Sequence, residues 1–322
     1  MAAQTRAEAE RLSLNQLAIH GELIHTTRSS RAILKTRWKF FATFMSLVQI
    51  SCVTVAHIPL TSDERDAFLY LEASYNGRQG IYLLDTGTAL PVVTEQAAYG
   101  QTHGGADAIL TASICGSVIR EGEICRSSEG VAITRPNLFE IGAVKMSPGG
   151  LFQIRDLSQL SDLVGMEIDG IVGSGILNGG RYTIDFRSRE LRLEQSDDAS
   201  SLVHTIEFDK QSPMVKVKVN GLDVLFLIDS GALQSSISKD SADKLLSKSA
   251  ITDGAVYTVL SVDGAREERR SRAFIESFQF ADVSINPAHI FVSDSNVIGL
   301  DILSKGVLTV DARIKKFNFV ME

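Results

Sequence analysis

Two acids stand where apolar side chains would be expected. Asp85 interrupts Tyr82-Leu83-Leu84-Asp85-Thr86-Gly87, and Asp229 interrupts Phe226-Leu227-Ile228-Asp229-Ser230-Gly231. One Asp-Thr-Gly between apolar segments reads as a turn that ends one strand and begins another. A second copy in the other half of the chain makes the two read as a pair. Two carboxyl groups held roughly 3 Å apart cannot both ionise, so they share a proton and supply a base and an acid at one pH. That combination suits hydrolysis of an amide, a poor electrophile. One group activates water while the other protonates the carbonyl oxygen or the leaving nitrogen, without a metal or a covalent nucleophile.

Other chemistries find little support. The six histidines, at 20, 25, 57, 104, 204 and 289, form no pair at metal-ligand spacing, and the three cysteines include no C-x-x-C. The run Gly170-Ile-Val-Gly-Ser-Gly-Ile-Leu-Asn-Gly-Gly180 is one residue too long for a dinucleotide fingerprint and leads into a strand pattern rather than a long helix. No G-x-S-x-G elbow is present. Neither a metal nor a cofactor is expected. The chain carries a formal net charge of −7, and residues 1–60 are basic, so the remainder is more acidic still. Nucleic acid is therefore disfavoured as a partner.

The elements that must position the acids form an internal repeat. Asn76-Gly77 precedes Asp85 at the spacing by which Asn220-Gly221 precedes Asp229. Asn-Gly between alternating apolar runs is the strongest short hairpin signal, so each acid ends the return strand of a hairpin. Farther on come Ile171-Val172-Gly173 and Val297-Ile298-Gly299, then Asp185 and Asp311, then the pairs Leu191, Leu193 and Phe317, Phe319. The spacings after each glycine are identical. Residues 57–195 and 203–322 thus read as two copies of one unit, joined by the polar stretch Glu194 to Ser201. Alternating segments such as Met214-Val-Lys-Val-Lys-Val219 read as short strands, with helices expected only over 94–99, 156–163 and 238–247. Arg266 to Arg272 reads as a solvated hairpin tip.

A hydrophobic-hydrophobic-Asp-[Thr/Ser]-Gly followed by an aliphatic-aliphatic-Gly resembles the aspartic peptidases, the compact halves being nearer to retropepsins than to pepsin lobes. The resemblance covers nearly everything after residue 57. It implies an all-β protein of two retropepsin-like barrel lobes related by pseudo-twofold symmetry, with Asp85 and Asp229 as catalytic pair beneath a cleft. Thr86 and Ser230 would lock the two acid-bearing loops together, Gly87 and Gly231 would permit their close approach, and Gly173 and Gly299 would mark the strands that thread beside them. The Thr88 hydroxyl would donate to Asp85, whereas Ala232 at the matching position cannot donate to Asp229. Flap hairpins are implied near 109–125 and 257–270. The implied activity is aspartic-type endopeptidase on a peptide or protein substrate, by a monomer holding an intramolecular pseudo-dimer. The other reading is a catalytically silent peptide-binding protein with the same fold.

Residues 1–56 read as an address. Arg28, Arg31, Lys35, Arg37 and Lys39 precede the uncharged run Phe40 to Val55, which is short for the roughly 20 apolar residues of a membrane span. An export signal cleaved near Ala56 fits, as does a signal anchor that attaches the chain to a membrane through residues 40–55. Either implies a periplasmic or other extracytoplasmic protein. Cleavage would remove Cys52 and leave Cys115 and Cys125 as an even pair, expected to form a disulfide across the first flap.

Overall fold

The computed structural model describes residues 55–62, 68–99, 113–114, 124–126, 132–146, 150–194, 201–261 and 264–321. Cys52, Cys115 and most of residues 1–56 lie outside these, and the Cys125 side chain is not described, so the disulfide and the leader are not addressed by it. Among the described residues no helix is long and apolar enough to cross a membrane.

Strands dominate, and the order in which they pair recurs along the chain. Tyr70–Tyr75 and Arg78–Asp85 form a hairpin about Asn76-Gly77, and Ser212–Val219 and Leu222–Ile228 form another about Asn220-Gly221. Both turns need two left-handed residues in succession, with φ of 50° and 83° in the first and 49° and 85° in the second. Asn and Gly tolerate that conformation best. The Asn side chains do further work: Asn76 Oδ1 accepts from the Asn137 and Leu138 amides, and Asn220 Oδ1 from the Ser277 amide.

Gly170–Gly173 runs parallel to Arg78–Asp85, with Gly173 opposite Asp85, and Val92–Val93 lies antiparallel on its other side. Val297–Ile298 runs parallel to Leu222–Ile228, with Ser236–Ser238 antiparallel to it. These inserted strands are apolar on both faces because both are covered. Each is followed by one helical turn, Ser174–Leu177 or Leu300–Leu303. The strand pattern alone did not indicate these turns. The expected helices are present over Glu95–Tyr99, Ser158–Val164 and Lys239–Leu245.

A sheet in the order Val55–Pro59, Glu190–Glu194, Arg181–Asp185, Gly306–Asp311, Lys316–Met321, His204–Asp209 ties the halves together. At its middle Thr183 faces Thr309 with their hydroxyls 3.0 Å apart; these residues are 126 positions apart, as are Gly173 and Gly299. Leu191, Leu193, Phe317 and Phe319 point inward from this sheet. Asp185 and Asp311 serve its turns, accepting amide hydrogens from Arg187 and Ser188 in one case and from Arg313 in the other. The first strand begins at Val55, two residues inside the segment read as leader, because Ala56 and Ile58 pair with Leu193 and Leu191. Core aromatics cluster in each half: Tyr75, Tyr82, Phe139 and Phe152 in one, Phe226, Phe278, Phe280, Phe317 and Phe319 in the other.

Candidate active site

Asp85 is the last residue of its strand, and Asp229 directly follows its own. Beyond each acid the chain turns, with the Thr88 amide returning to the Asp85 carbonyl and the Ala232 amide to the Asp229 carbonyl. The inserted strands hold these turns from behind. Ser174 donates to the Thr88 carbonyl at 3.0 Å and Leu300 to the Ala232 carbonyl at 2.8 Å. A Cβ on Gly173 would collide with the Thr88 carbonyl, and one on Gly299 would crowd the Ala232 and Gln234 carbonyls.

Four buried hydrogen bonds cross between the two loops. The Thr86 hydroxyl donates to the Ile228 carbonyl at 2.8 Å and accepts from the Ser230 amide at 3.0 Å. The Ser230 hydroxyl donates to the Leu84 carbonyl at 2.8 Å and accepts from the Thr86 amide at 3.0 Å. Both side chains are fully buried. Each hydroxyl thus bonds the backbone of the opposite loop, reciprocally.

This crossing brings the acids together. A Cβ built on Gly87 would stand 2.5 Å from Asp229 Cγ, and one on Gly231 would overlap Asp85 Cγ. Only glycine allows each carboxyl group to lie against the opposite loop. The two carboxyl groups thus stand beside each other, one on each loop. Their hydrogen-bond partners differ: Asp85 accepts from the Thr88 hydroxyl at 2.7 Å and the Thr88 amide at 3.0 Å, while Asp229 accepts from the Gly231 amide at 2.8 Å. The Asp229 carboxyl is held well above the ordinary carboxylate range, by burial first and then by the Asp85 carboxyl beside it, against the lowering pull of the Gly231 and Ala232 amides.

Residues 215–312 match the family model for aspartyl proteases. The matched stretch contains the second acid-bearing loop, Asp229-Ser230-Gly231, and Gly299. Among solved structures, soybean basic 7S globulin is similar at 10% identity and a TM-score of 0.46, over 84% of this chain and 95% of its own. An EIAV protease complexed with the inhibitor HBY-793 is similar at 22% identity and a TM-score of 0.22, over 29% of this chain and 85% of its own. No curated protein matches.

Other supports of the two loops are not legible in the sequence. Ser235 donates both its amide and its hydroxyl to Asp301 Oδ1, at 2.9 and 2.6 Å, and accepts from the Gly299 amide at 2.9 Å. Pro91 and Gly175 occupy the corresponding places in the first copy, so the repeat gave no hint of this pair. The hairpin turn at Lys210-Gln211 leans on the other half: Ser212 donates to the Gly87 carbonyl at 3.0 Å, and Asn178 to the Gln211 carbonyl at 2.7 Å.

The second flap is a long hairpin, Ile251–Ser261 with Gly264–Ile275, and the Ser158–Val164 helix of the first half lies against it. Arg266 to Arg272 was expected at a hairpin tip. It instead runs along the Gly264–Ile275 strand, because the hairpin's pairing extends as far as Ser261 opposite Gly264. Of the first flap, only the backbone strands 113–114 and 124–126 are described. A cavity of about 710 Å³ between residues 94–96 and 154–168 touches neither acid.

Proposed function

We propose that the chain is a single-chain aspartic endopeptidase, built of two copies of one unit over 57–195 and 203–322, with Asp85 and Asp229 as its catalytic pair. The observation that carries this reading is the mutual seating of the two acids, each carboxyl group packed against the other loop's glycine. Two carboxyl groups held so close share one proton between them at moderate pH.

Water placed between the acids loses a proton to the ionised one as it attacks the scissile carbonyl carbon. The protonated acid donates to the carbonyl oxygen, giving a neutral tetrahedral diol. The acid that took the water proton then gives it to the amide nitrogen while the other takes a proton from a diol hydroxyl, so the carbon–nitrogen bond breaks to a carboxylic acid and an amine and the pair again holds one proton for a second turnover. Asp229, its carboxyl raised by burial and by Asp85 beside it, suits the role of proton holder, which leaves the base to Asp85, positioned by the Thr88 hydroxyl and amide. The long second flap is suited to cover a bound peptide and exclude water. Both acids come from one chain, so the enzyme works as a monomer. Export to an extracytoplasmic compartment, with residues 40–55 as signal or anchor, is part of the same proposal and rests on the sequence of residues 28–55.

Incubating the purified chain with a peptide library, with and without an inhibitor carrying a transition-state-mimicking hydroxyl, tests the activity. Cleavage that the inhibitor suppresses is expected. Inhibitor binding without cleavage would favour the silent peptide-binding alternative.

A further inference from the structure

The face on which Asp229 stands continues across the whole second half. Leu227 precedes Asp229 by two residues and so shares its side of the sheet. Register then sets Val297 beside Leu227, Ser236 beside Val297, Phe291 beside Ser236 and Arg272 beside Phe291. The row that starts at an acid ends at cations. The Arg272 guanidinium lies over the Phe291 ring, 5.2 Å from its centre, and that of Arg270, two residues earlier, lies 5.9 Å from it. Tyr257 meets the same ring edge-on at 5.0 Å. Arg270 is paired with Glu268 at 3.1 Å. Arg272 is exposed and has no carboxylate partner among the described residues.

The corresponding row in the first half carries no charge. From Asp85 it runs through Leu83, Ile171, Val92, Gln153 and Ile133. Gln153 stands at the place of Phe291, and Ile133 at that of Arg272. The two sides of the cleft therefore offer different chemistry to a peptide lying across the acids.

We propose that Arg272 is a specificity-determining residue, which takes the carboxylate of an Asp or Glu side chain of the substrate on the second-half side of the cleft, while the first-half side takes a neutral residue. The inference rests on the endopeptidase reading of the same site. A guanidinium held over an aromatic face by its charge keeps its N–H groups free for two parallel bonds to a carboxylate. In a chain of net charge −7, an acidic peptide gains such a contact nowhere by default.

The test compares kcat/KM for peptides that differ only by Glu or Gln, scanned through each position flanking the scissile bond, for the wild-type chain and for Arg272→Gln. The wild type should prefer Glu by about fivefold or more at one position on one side of the bond, the worth of a half-exposed charge pair, and the preference should collapse toward unity in the variant. A ratio near one at every position in the wild type, or a Glu preference that survives Arg272→Gln, overturns the proposal. If no peptide is cleaved at all, the endopeptidase reading fails by itself. The same Glu and Gln peptides, fluorescently labelled and titrated by anisotropy against both proteins, then decide the role of Arg272 by the same ratio.

Discussion

Asp229 keeps its proton because ionising it would leave a poorly solvated charge beside Asp85. Its raised pKa in the folded chain means that the stabilisation is fully present below the ordinary carboxylate pKa and is lost as pH rises through the raised value. Asn at this position does not titrate. Asp229→Asn should therefore melt close to the wild type near about pH 4, and at progressively higher temperature than the wild type as pH increases; thermal scans across pH check this, and a constant difference would contradict it. The Thr88 hydroxyl donates to Asp85 at 2.7 Å. Thr88→Ala removes this donor and should lower kcat by roughly tenfold or more, the worth of one hydrogen bond to a carboxyl group, in steady-state peptide cleavage, and unchanged kcat would show that the hydroxyl does not hold Asp85 in its working position.

At the level of the loops and strands, Thr86 and Ser230 join the two acid-bearing loops with no slack. Ser230→Ala deletes one hydroxyl but orphans two buried groups, the Thr86 amide and the Leu84 carbonyl. A loss of roughly 2–4 kcal/mol in denaturant titrations is expected. A loss of a few tenths would mean that water replaces the hydroxyl. Gly87→Ala should abolish cleavage by wedging a methyl group against Asp229; a variant of normal activity would show that the loops part readily. Much of this architecture was readable because its causes are local. Asn-Gly turns demand positive φ, and an acid in an apolar strand demands a partner. What escaped reading depended on tertiary context. The Ser235–Asp301 pair has no echo in the first copy, and the turns at Ser174–Leu177 and Leu300–Leu303 are too short for a helical period. Val55 and Ala56 belong to a strand only because Glu194 and Leu193 lie opposite them. Arg266 to Arg272 has the composition of a loop, but pairing with residues 252–259 and 291 draws it into a strand.

Across the whole molecule, the sheet centred on Thr183 and Thr309 joins the two acid-bearing halves, and on the proposed reading one chain does what two identical chains would otherwise do by associating. Specific activity should accordingly be independent of enzyme concentration down to the detection limit, with light scattering giving the mass of one chain. A loss of specific activity on dilution would point to an obligate dimer instead. The account stands chiefly on the claim that Asp85 and Asp229 are one chemical unit. The direct measurement is peptide cleavage by Asp85→Asn and Asp229→Asn, each verified as folded, beside the wild-type chain. Both single variants should lose roughly 10²–10⁴-fold in kcat or more, since neither acid has a substitute partner, and turnover near the wild-type rate in either one would contradict the shared pair.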